Sequence, residues 1–144
     1  MAGLPLLALV LGIVTAVGGA YMMGILLRTG RAEVEASSSH LSSAVVFTHM
    51  SVAGLGLVVL AVYMANSDEV IAWAALAVLV LAALIGGAMF LTWTRDRHGD
   101  PQVVVENKRR LAEQQIPSAV VHSHGALALA TLVCVLLVAL GAAV

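Results

Sequence analysis

Four stretches of this chain, residues 3–27, 44–65, 70–94 and 118–144, contain no Asp, Glu, Lys or Arg. Each exceeds the roughly 20 residues that an α-helix needs to cross a bilayer's hydrocarbon at about 1.5 Å per residue. Inside lipid the backbone must satisfy its own hydrogen bonds, and apolar runs this long do so as helices. The expected fold is therefore all-α: an integral membrane four-helix bundle running up-down-up-down, with residues 1–144 forming a single transmembrane domain. Composition agrees. The chain is 61% hydrophobic and 10% charged, against about 25% charged in a soluble domain, too little to cover a water-exposed surface. The first run begins at Gly3 with no basic segment before it and is too long for a signal-peptide core, so it reads as a retained helix.

The connections set the orientation. Loop 1, from Arg28 to Ser43, is serine-rich, and Ser37, Ser38 or Ser39 is placed to cap an extension of the second helix. Asn66-Ser67-Asp68-Glu69 is a tight turn whose acids suit the start of the third helix. Loop 3, from Arg95 to Pro117, opens on the turn-like His98-Gly99-Asp100-Pro101 and reads helical from Glu106 to Gln115, with Pro117 in the first turn of the fourth helix. Loops 1 and 3 share one side and hold all seven basic residues: Arg28, Arg31, Arg95, Arg97, Lys108, Arg109 and Arg110. The positive-inside rule then puts these loops in the cytoplasm and both termini outside. Tyr63 and Trp73 would mark the outer interface and Trp93 the inner one. Arginine outnumbers lysine six to one, a codon bias that points to a GC-rich bacterial gene and so to a bacterial inner (plasma) membrane.

Several function classes lose support. A net charge of −1 gives no footprint for nucleic acid. The lone Cys134 allows no intramolecular disulfide, Cys-based zinc site or CxxC redox motif and reads as a small buried hydrophobe. Proton-coupled exporters of cationic drugs use a carboxylate within the membrane, and no span has one. Channels line their pores with polar rings, which the outer halves lack. Ser123 lies between two histidines, but neighbours on a helix point apart, so they form no catalytic dyad.

Five histidines, His40, His49, His98, His122 and His124, lie in or beside the cytoplasmic half. His49 is about six residues into the second span; His122 and His124 follow Pro117 by five and seven. All three therefore sit about 8–11 Å below the cytoplasmic end. Ionisable groups at such depth are costly and mark functional sites by default. Two imidazoles facing across a bundle suit axial ligation of haem. Ala53 and Gly56 share the face of His49, and Ala128 and Thr131 share that of His124, offering small side chains to line a cleft. Gly86, Gly87 and Met89 lie at comparable depth. Thr48, Ser51 and Ser123 are candidate acceptors for the second ring nitrogens. His122 and His124 point about 200° apart, so the two are not expected to share a pocket. His124 is preferred as the ligand, and His122 is left to propionates, loop 1 or headgroups.

This layout, four spans with His49 on the second and His122 or His124 on the fourth, resembles that of four-helix b-type membrane cytochromes. The resemblance implies haem b held by His49 and His124, and a role in electron transfer with a quinone or a redox protein. Families with two stacked haems carry histidine pairs near both faces, and no outer pair exists here. Two other readings stand beside it. One is a non-haem metal site recruiting His40 or His98. The other is a non-enzymatic accessory or assembly subunit, docked by apolar, glycine-lined faces in a larger membrane complex or a homo-oligomer; within the bundle, glycines 18, 19, 24, 54, 56, 86, 87 and 125 are expected to let the helices approach closely. In that setting Lys108-Arg109-Arg110 would meet anionic headgroups.

Overall fold

A computed structural model of the chain describes residues 3–32, 43–98 and 115–141. Four helices make up these residues: α1 (Gly3–Ala32), α2 (Ser43–Asn66), α3 (Glu69–His98) and α4 (Ser118–Ala139). All four are long and apolar enough to span a membrane, and the described residues contain no strand. α1 and α3 run several residues past the apolar segments that announce them, through Arg28 and Arg95. Hydropathy marks where lipid ends, and helical hydrogen bonding need not stop there. His40, the Ser37–Ser39 cap, the Gly99–Pro101 part of the turn, residues 106–114 of the helical reading and the Lys108-Arg109-Arg110 stretch lie outside the described residues.

The helix ends are defined by local chemistry. After α2, Ser67 takes the left-handed conformation at φ 55°, and its N–H donates to the Tyr63 carbonyl at 2.7 Å, closing the helix in an αL cap. Asp68 then caps α3: its Oδ1 accepts from the Val70 N–H at 2.8 Å. Pro117 stands one residue outside the helix it was expected to begin. At φ −59° and ψ 131° it is the N-cap of α4, and its carbonyl accepts from Val120 and Val121.

In cross-section the helices form a square. α2 packs on α3 and α1 on α4 most extensively, while α2 faces α4, and α1 faces α3, along the diagonals. The two close antiparallel pairs share one register. His49 of α2 lies over Gly86 of α3, and seven residues further along α2 Gly56 meets Leu79, seven residues back along α3. In the other pair, His124 of α4 lies over Gly19 of α1, and Thr131 meets Gly12, again seven residues on and seven back. Every such layer sets a glycine against a larger partner, which lets the backbones approach. The two helical hairpins, α1–α2 and α3–α4, are thus related by an approximate two-fold axis along the bundle. No internal repeat is expected from the sequence, and equivalent positions carry different residues: the deeper layer has its glycine at Gly56 of α2 in one pair and at Gly12 of α1 in the other.

The two ends of the bundle differ. Toward the α2–α3 turn, Ala8, Leu60, Ala75, Leu79 and Val135 form a close-packed cluster, extended by Ala72, Val138 and Ala139. Cys134 packs against its edge, as a small hydrophobe would. The half nearer loops 1 and 3 is hollow. Around the outside, Val17, Val70 and Leu84 are 65%, 74% and 68% exposed, a surface that lipid, not water, suits.

Candidate functional site

The hollow half centres on two imidazoles. His49 and His124, on diagonal helices, bring their ring centroids to 6.3 Å in an edge-to-face arrangement at 65°. Each ring is held by the neighbouring close-packed helix. His49 Nδ1 lies 3.0 Å from the Ala82 carbonyl of α3, and His124 Nδ1 lies 3.0 Å from the Thr15 carbonyl of α1. A carbonyl oxygen only accepts, so in both rings Nδ1 carries the hydrogen and donates. In the neutral imidazole this leaves Nε2 of each ring unprotonated, with its lone pair as the potential ligand.

The rings border two adjoining spaces. A cavity of about 490 Å³ lies on the loop side, lined by Met22, Met23, Met50, Phe90 and Trp93 with Gly86, Gly87 and Met89. A smaller one of about 150 Å³ lies deeper, lined by Ala53, Leu57, Leu79, Thr15 and Thr131. His49, His124 and Ala128 border both, so the imidazole pair stands where the two meet. The lining is almost wholly apolar. The hydroxyls of Thr15 and Thr131 are turned back onto the carbonyls of Leu11 and Leu127, as membrane helices commonly arrange them.

The other expected residues fall elsewhere. Gly56 lines neither cavity: a Cβ there would come within 2.6 Å of Leu79 Cδ2. The face of α2 that carries His49 looks toward α3, and one heptad deeper that same face is a helix–helix contact. His122 and His124 do share a space, contrary to the angular argument, because the larger cavity is wide enough to reach both. His122 sits at its edge, packed on Phe90 and Trp93 with centroids 5.8 Å from each, and its Nδ1–H donates to the Ser118 carbonyl at 2.7 Å. Thr48, Ser51 and Ser123 are exposed, and Ser123 bonds within its own helix to Val120. None of the three serves His49 or His124, whose partners are backbone carbonyls, a kind of acceptor that residue types do not reveal. Of the glycines expected at helix contacts, 24, 54, 87 and 125 have open space where a Cβ would stand.

Comparison with protein-family models, with curated proteins and with solved structures finds no match.

Proposed function

We propose that this chain is a b-type haem protein of a bacterial plasma membrane with a role in electron transfer, its haem held by His49 and His124 in the cytoplasmic half. The observation that carries the reading is the facing imidazole pair with both Nδ1–H groups engaged by backbone carbonyls. Metal-ligating histidines characteristically donate their second nitrogen in this way, which fixes the ring and raises its basicity.

The donor set suits the group. The two ring centroids are 6.3 Å apart, and the Nε2 of each ring would be the nitrogen offered to a haem iron. Among the described residues no three His, Cys, Asp or Glu gather as a metal-binding group. A macrocycle would supply the remaining donors itself, so two imidazoles suffice for haem. The adjoining cavities, lined by small and apolar side chains with Met22, Met50 and Met89, offer the low-polarity surroundings that a porphyrin face requires. Arg28 and Arg95, both exposed, stand nine residues beyond Gly19 and Gly86, about 13 Å toward the loop side, and would be the nearest described cations on α1 and α3 for the carboxylates of a bound haem. Bound haem supplies a one-electron couple; the chain supplies ligation, orientation and exclusion of water.

By the positive-inside rule the loops lie in the cytoplasm and both termini outside, so a quinone or redox protein would exchange electrons at the cytoplasmic end. Protein purified from haem-supplied cells should show a Soret band that shifts on reduction. His49→Ala and His124→Ala should each abolish it, and His98→Ala should retain it. A colourless preparation would count decisively against the reading.

A further inference from the structure

The carbonyls that receive the two imidazoles have a feature in common. Ala82 precedes Gly86 by four residues, and Thr15 precedes Gly19 by four. In an α-helix the carbonyl of residue i points toward residue i+4, and the side chain at i+4 leans back over the preceding turn. That side chain ordinarily shields the carbonyl's second lone pair from a neighbouring helix. Here both shielding positions are glycine, and both rings occupy the space a side chain would fill. A Cβ on Gly86 would lie 2.8 Å from His49 Cε1, and one on Gly19 would lie 3.3 Å from His124 Cε1. The same device occurs twice, once in each close helix pair, related by the bundle's approximate two-fold axis.

We infer that Gly19 and Gly86 are positioning residues, which uncover the Thr15 and Ala82 carbonyls and so lock His124 and His49 as Nδ1–H tautomers with Nε2 available to a ligand. The lock belongs to the polypeptide; only its use in holding a metal rests on the haem reading. It is ring-specific, since Gly86 serves His49 alone and Gly19 serves His124 alone. The Thr15 side chain plays no part, because the acceptor is its backbone oxygen.

The test is ¹⁵N spectroscopy of histidine-labelled, haem-free protein in lipid nanodiscs above pH 8, where each neutral tautomer has its own pair of nitrogen shifts. The unaltered chain should show His49 and His124 as Nδ1–H tautomers, assigned by comparison with His49→Gln and His124→Gln. Gly86→Ala should abolish the tautomer preference of His49 and leave that of His124, with Gly19→Ala doing the converse more mildly. Gly24→Ala, whose Cβ meets nothing within 4 Å, and Thr15→Ala should change neither ring. In haem-loaded protein, loss of either donated hydrogen bond makes that ligand less electron-rich and should move the midpoint potential upward. Nε2–H tautomers in the unaltered chain overturn the inference whether or not the variants fold, and so does an equal response of both rings to either glycine change. Nδ1–H tautomers in a chain that takes up no haem would leave the lock standing and remove the haem.

Discussion

At the scale of single residues, the site depends on groups that differ in how visible they are in a sequence. His49 and His124 are legible because ionisable side chains are rare in spans and helical rise converts residue number into depth. Their partners are not, since every residue has a carbonyl, and a glycine four places on marks Ala8, Val14 and Met50 as well as Thr15 and Ala82. His122 lies at the same nominal depth, but its ring rests on Phe90 and Trp93 and its Nδ1–H is spent on Ser118 of its own helix. If His49 and His124 are the ligands, His122→Ala should keep the Soret band at near-normal intensity, while His124→Ala removes it. A spectrum showing the reverse would reassign the ligand on α4. The aromatic packing of His122 gives its loss a structural cost as well, expected as a Tm lowered by a few degrees in detergent.

Among the elements, span number and order follow directly from uncharged runs separated by polar ones. Helix ends and pairing do not. Lipid leaves nearly every surface of these helices apolar, so no amphipathic stripe announces which faces meet. Gly56 shows the consequence: it shares the face of His49 by angular position, yet at its own depth that face is closed against Leu79. A methyl group at position 56 has no room unless Leu79 moves, so Gly56→Ala should destabilise the α2–α3 pair by about 1–3 kcal/mol. Leu79→Ala, which makes space opposite, should recover part of the loss in the double variant, and additive losses would argue against this contact. The α2–α3 turn allows a change of opposite sign. Ser67 holds φ 55° at a position where glycine escapes the Cβ penalty. Ser67→Gly should therefore stabilise the fold by a few tenths to about 1 kcal/mol, read as a raised Tm.

Taken as a whole, the molecule is asymmetric along the membrane normal although its two hairpins are alike. The half beside the α2–α3 turn is filled by Ala8, Leu60, Ala75, Leu79 and Val135, of which all but Leu79 are wholly excluded from solvent. The larger cavity and the imidazole pair lie in the opposite half, and the smaller cavity runs from the pair down to the layer of Gly12 and Leu79. At about 8–11 Å from the loop end of a hydrocarbon layer about 30 Å thick, the pair lies about twice as far from the other face. Below the smaller cavity, close-packed apolar side chains fill the rest of that longer path, and no second histidine pair lies along it among the described residues. If the pair holds haem as proposed, electrons would exchange with one side of the membrane only. Haem-loaded protein reconstituted in one orientation should therefore be reduced quickly by dithionite, a membrane-impermeant reductant, when it is supplied at the side bearing loops 1 and 3. Reduction from the side bearing the termini should be slower by at least an order of magnitude. Equal rates from both faces in the unaltered protein would mean that the packed half does not insulate the site, and the one-sided assignment would fail even with the Soret band intact.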